Sequence, residues 1–114
     1  MDILEKIVDV IDQKDGENTV VIDMKSTLIL TDYFVITTAN STSHMVALRD
    51  AVVKEFQKFD HEIIYYDKDK NHEWMIVDAG DIVIHIFTKK AREFYDLENL
   101  WKNFENLIDR ETVS

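Results

Sequence analysis

Asn71–Trp101 reads NHEWMIVDAGDIVIHIFTKKAREFYDLENLW, and this stretch decides the fold. Trp74 to Ala79 and Asp81 to Phe87 are apolar, largely β-branched runs that meet at Gly80. The segment Asp78-Ala79-Gly80-Asp81 therefore predicts a β-hairpin, with glycine where a positive φ is needed. Beyond it, Phe94, Leu97, Trp101, Phe104, Leu107 and Ile108 recur at helical intervals. They predict a helix from about residue 89 to residue 110, with room for a break near Leu97 to Asn99. Two apolar strands, a tight turn and an aromatic, acidic helix without a catalytic motif point to a docking surface more than to an active site.

Working outward, Ile3, Leu4, Ile7, Val8 and Ile11 share helical spacing, with Asp2 and Glu5 in the first turn, where the helix dipole favours negative charge. This first helix is expected over about residues 2 to 14, ending near Gly16. Thr19–Met24, Leu28–Leu30 and Tyr33–Thr38 are β-branched, aliphatic or aromatic runs separated by short polar breaks, and they supply strands 1 and 2. Asn40 to Ser43 offers several caps ahead of Met45, Leu48, Val52, Phe56 and Phe59, one stripe of a second helix. A short third strand is expected at Glu62 to Tyr66, then a solvated connection at Asp67 to Asn71. The order helix, two strands, helix, three strands, helix implies an α/β fold. It is a single domain with a mixed five-stranded sheet and flanking helices, because only some connections are long enough for parallel crossovers.

A chain of 114 residues is the size of one ordinary domain, and at that length folding buries roughly 65% of the surface an unfolded chain exposes. With 46% hydrophobic and 32% charged residues, the composition is that of a globular protein. The absence of cysteine removes disulfides, thiolate nucleophiles and sulfur-based zinc sites, and fits a reducing compartment. No apolar run approaches a membrane span, and MDILEKIVDVIDQ is acidic and amphipathic where a signal peptide would be basic and then uniformly apolar. A cytoplasmic location follows as an expectation. Thirteen basic against twenty-three acidic residues give a net charge of −10, which repels phosphate backbones and disfavours general DNA or RNA binding. A basic protein partner suits that charge better, with solubility as the plainer explanation.

Three separated segments, TDYFVITTANSTSH (Thr31–His44), EWMIVDAGDIVIHIF (Glu73–Phe87) and REFYDLENLW (Arg92–Trp101), resemble the Iojap family, also called ribosomal silencing factors RsfS. The resemblance implies a fold related to nucleotidyltransferases without their activity. It further implies binding to the fourteenth protein of the large ribosomal subunit, on the face that meets the small subunit, so that subunit joining is blocked and translation repressed. No cofactor or metal is implied. A small nucleotidyltransferase-like enzyme or nucleotide sensor is the rival class, and an exposed sheet edge or the last helix offers a route to a homodimer.

The expected partner-binding set is Trp74, Met75, Asp78, Asp81, His85, Tyr95 and Glu98, each with an ordinary structural alternative. Trp74 is a large anchor or a core residue, and Met75, alternating with it, takes the opposite sheet face. Asp78 and Asp81 either satisfy turn backbone groups or accept hydrogen bonds from a basic partner. With Asp32 they also raise the question of metal-dependent catalysis, but no glycine-rich phosphate loop accompanies them. His85 is a half-buried strand histidine that could face the partner, and His44, His61 and His72 show no ligand spacing. Ser41, Thr42 and Ser43 suit capping more than anion binding. Trp101, in step with Leu97 and Phe104, reads as core. Lys89, Lys90 and Arg92 either pair with Glu93 and Asp96 or touch ribosomal RNA at the rim.

Overall fold

The computed structural model describes residues 3–27, 29–68 and 72–100. In chain order these form α1 (Ile3–Gln13), β1 (Glu17–Asp23), β2 (Tyr33–Ala39), α2 (Thr42–Lys58), β3 (Tyr65–Tyr66), β4 (Trp74–Asp78), β5 (Ile82–Thr88) and α3 (Lys89–Tyr95). The strands make one mixed sheet, as the connection lengths predict, and its order is β1-β2-β5-β4-β3. β2 and β5 run parallel, with Tyr33 opposite Ile82 and Ala39 opposite Thr88; the other pairings are antiparallel.

Side-chain alternation divides the sheet into two faces. On one, Val35, Met75, Val77, Ile84 and Ile86 pack beneath Ile7 and Ile11 of α1 and Met45, Leu48, Val52 and Phe56 of α2. On the other, Phe34, Ile36 and Phe87 gather with Met24, Ala91 and Leu97, and Trp74 lies against their margin. Two helices thus cover the first face, while the second has only Met24, the seven-residue α3 and Leu97 from the described residues.

With two glycines and no proline, the chain ends its helices on aspartate. Asp15 (φ 63), Asp60 (φ 55) and Asp96 (φ 45) occupy the left-handed region, which short polar side chains tolerate better than most. After α1, Asp15 N–H donates to the Asp12 carbonyl and Gly16 N–H to that of Ile11, the Schellman closure. Asp60 and His61 repeat it after α2, donating to Gln57 and Phe56. Gly16, where the sequence places the end of the first helix, is required for space instead: a Cβ there would stand 2.4 Å from Ile11 Cγ2 and 2.6 Å from Thr37 Oγ1. Ser41 caps α2 by accepting from His44 N–H, and the His44 ring accepts from Asn40 N–H while its Nε2 bonds the Lys14 carbonyl, tying α1 to α2.

Several expectations are corrected. Ile29 and Leu30 form no strand; Leu30 is 99% exposed in the β1–β2 loop, and Leu28 lies outside the described residues. The third strand shrinks to Tyr65–Tyr66. Phe59 leaves the core stripe because α2 ends at Lys58 and Phe59 is its exposed C-cap. The last helix breaks at Asp96, one residue before the anticipated interval, and resumes at residues 97–100. Trp101, Phe104, Leu107 and Ile108 lie outside the described residues.

Gly16→Ala should therefore destabilise by about 1–3 kcal/mol through overpacking, whereas Asp15→Gly should hold stability within about 0.5 kcal/mol because it removes left-handed strain. Urea unfolding of both variants checks the ranking; the reverse order would refute this account of the helix end.

Candidate functional site

β4 and β5 set the geometry. In their antiparallel register Trp74 stands opposite Phe87, Ile76 opposite His85 and Asp78 opposite Val83, so all six share the sheet face that α3 partly covers. Thr88 caps α3 by accepting from Ala91 N–H, which directs the helix back over Phe87. Trp74 stacks on Phe87 (ring centroids 4.9 Å, 29° between planes) and meets Tyr95 at 4.8 Å. Phe94 then stands edge-on to Tyr95 at 5.0 Å. Exposure rises along this series: Phe87 is buried, Trp74 half-buried, Tyr95 50% exposed and Phe94 79% exposed. An aromatic ledge runs out of the core to solvent.

His85 lies behind it. The Trp74 Nε1–H donates to His85 Nδ1 at 3.1 Å, and the imidazole stands edge-on to Phe34 at 4.6 Å. An indole N–H can only donate, so Nδ1 must be bare and the ring proton sits on Nε2. That Nε2 is buried and without a hydrogen-bond partner. Burial pushes the imidazole down to about 4 from its ordinary 6.5, so His85 is neutral at physiological pH.

The remaining expected site residues separate. Met75 is fully buried under α2 and offers no surface, so its assignment as a partner contact is withdrawn; alternation with Trp74 sends it into the main core. His85, at 5% exposure, is likewise removed from direct contact. Asp78 accepts from Gly80 N–H at 2.9 Å, and Gly80 adopts φ 86, as the hairpin requires. Asp81 accepts from His61 Nε2 at 2.9 Å, and its carbonyl receives Asp32 and Tyr33 N–H. Glu98 binds Arg92 Nε at 2.8 Å, while Arg92 also donates to Thr38 Oγ1 at 2.8 Å. Arg92 therefore pairs with Glu98 and not with Glu93 or Asp96, because the turn at Asp96 folds Glu98 back. Among the described residues, no three His, Asp or Glu side chains converge as a metal-binding group.

Phe94 is the exposed aromatic that sequence reasoning missed. Its spacing to Leu97 suggests a shared buried stripe, but the left-handed Asp96 between them resets the helical phase. The sign available in the sequence is the aspartate itself, in a chain that has few glycines to end its helices.

Among the described residues, the feature that stands out on this face is a continuous series of aromatic rings running from the core to solvent. Along residues 1–114 the chain matches the family described as "Ribosomal silencing factor during starvation". It is 32% identical over 100 residues to ribosomal silencing factor RsfS of Halalkalibacterium halodurans, spanning 88% of this chain and 86% of that protein. A crystal structure of a Bacillus halodurans protein, 34% identical, superposes with a TM-score of 0.76 over 86% of this chain and 91% of that one. Mouse mitochondrial assembly of ribosomal large subunit protein 1 is 32% identical across 86% of this chain, which spans 44% of that longer protein. The chain belongs to the ribosomal silencing factor family.

Because the folded-state pKa of His85 lies below the unfolded value, its burial favours folding fully only above pH 6.5, and that contribution is lost progressively as pH falls to about 4. The loss should be on the order of 3 kcal/mol. His85→Phe should flatten that part of the profile. Urea unfolding of both proteins at several pH values from 7 to 4 is the measurement (roughly the interval spanned by the two pKa values), and parallel profiles would refute the assignment.

Proposed function

We propose that this protein is a non-enzymatic translation repressor of the cytoplasm. It docks on the large ribosomal subunit through that particle's fourteenth protein, at the face that meets the small subunit, and so blocks joining. The observation that carries the reading is the ledge of Trp74, Tyr95 and Phe94, which leaves aromatic area in solvent on an otherwise strongly acidic domain. Aromatic side chains desolvate large areas at small entropic cost and dominate protein interfaces. A net charge of −10 steers such a ledge toward a basic protein and away from the surrounding RNA. Family membership supports the silencing role, and the mouse relative is named for the large subunit.

Glu98 adds negative charge near the ledge while holding Arg92, and Asp78 and Asp81, at the far end of the sheet, add to the long-range negative field. Lys89 and Lys90, both exposed beside the ledge, form the part of the surface suited to a local contact with ribosomal RNA at the rim.

The protein should cosediment with purified large subunits and not with small ones, and, added before mixing, should lower the yield of joined ribosomes. Equal binding to both subunits, or an unchanged yield at saturation, would overturn the proposal. Phe94→Ala should weaken docking by about 1–2 kcal/mol and Trp74→Ala by about 2 kcal/mol or more. Leu30→Ala is the control, since Leu30 is equally apolar and exposed but belongs to the loop joined to Asp81, at the opposite end of the sheet. If all three variants bind alike, the ledge is not the interface.

A further inference from the structure

A histidine in the middle of an apolar sheet face calls for a cause. His85 is surrounded by Phe34, Trp74 and Phe87, and an apolar ring would fill the same space without leaving a buried Nε2 unpartnered. What an apolar ring could not do is accept the Trp74 indole N–H. We propose that His85 is a positioning residue for Trp74: by accepting the indole N–H from below, it holds the ring in the one orientation that stacks on Phe87 and meets Tyr95, and so presents the docking ledge preformed.

The geometry gives each group a distinct job. Stacking on Phe87 fixes the plane of the indole but permits rotation within it, because ring faces attract with little directional preference. The hydrogen bond to Nδ1 at 3.1 Å supplies the direction. Together they leave the outer edge of Trp74 beside Tyr95, itself half-exposed. An anchor already ordered in the free protein loses less rotamer freedom when a partner covers it. The cost appears instead in the free protein, as the unpaired Nε2.

This inference rests on the ledge being the docking face, so the experiment separates the two. Binding to purified large subunits is measured for the parent, Trp74→Ala, His85→Phe, His85→Gln and the double variant Trp74→Ala/His85→Phe. His85→Phe keeps the ring and loses the acceptor, and should raise Kd about fivefold to tenfold, the size expected for ordering one side chain. Its Trp74 indole N–H resonance, assigned by its disappearance in Trp74→Ala, should move and exchange faster with solvent. His85→Gln restores an acceptor and should bind within about threefold of the parent. In the Trp74→Ala background, His85→Phe should have no further effect on Kd, which a role in general packing would not predict. If Trp74→Ala weakens binding and folded His85→Phe does not, positioning is refuted while the docking face stands. If neither weakens binding, both fall. Should His85→Phe not fold, His85→Val removes the acceptor without added bulk and is judged by the same outcomes.

Discussion

The parallel pairing of β2 with β5 is the constraint on which the rest of the structure depends. The two strands run in register from Tyr33 opposite Ile82 to Ala39 opposite Thr88, and nearly every residue in both is buried. A parallel pair cannot be closed by a tight turn. The chain between them must leave the sheet, cross one face and return, and α2, β3 and β4 are that excursion. Because α2 lies over Val35, Val77 and Ile84 beside α1, one face is sealed by the crossover itself. Among the described residues, the other is covered by Met24 from the β1–β2 loop and by the segment that follows β5.

That asymmetry places the aromatic ledge. The chain emerges from β5 at Thr88, which caps α3 at once, so the helix can reach only the end of the sheet where Trp74 and Phe87 are paired. After the seven residues of α3, Asp96 turns the chain, and Arg92 fastens the turn by binding Glu98 on one side and Thr38 of β2 on the other. The Arg92 side chain is 14% exposed and that of Glu98 37%, so removing Glu98 would leave a largely desolvated guanidinium short of its charge partner, which is costly. The aromatic side chains of α3 are thereby held beside Trp74 instead of closing over it.

Much of this is legible in the sequence because strand alternation, capping residues and the Asp-Ala-Gly-Asp turn are local signals. The hairpin, the Ser41 cap, the mixed sheet and the two main helices follow from them. The features that are not legible depend on distant chain segments. Met75 and Trp74 alternate, but which of them points inward is decided by where α2 crosses, and no local pattern carries that. Arg92 has Glu93 and Asp96 near it in sequence and chooses Glu98 only because the backbone turns between them. Ile29 and Leu30 have strand composition, yet Met24 and Asp32 close the loop by pairing N–H to C=O at 2.7 Å, which excludes them from the ladder. Phe94 reads as a core residue for a similar reason: helical spacing is meaningful only while the helix continues.

The same dependence on distant partners explains why a buried, neutral histidine belongs on β5. On the face that the helices cover, Met75 and Ile86 pair across β4 and β5 inside the apolar core. Across the strand, Trp74 brings an N–H into a setting where water is scarce, and an unmet donor there is destabilising. The register of β4 on β5 sets His85 one pair away from Trp74 on the same face, which is diagonal reach for a large ring. An acceptor at that position therefore satisfies the indole without any departure from regular strand geometry. The remaining defect, the orphan Nε2, sits on the inner ring, away from the ledge. A tryptophan that is half in the core and half at the surface is thus made compatible with the fold by one neighbour, and the fold's stability and the readiness of its candidate docking surface become coupled through the Trp74–His85 hydrogen bond.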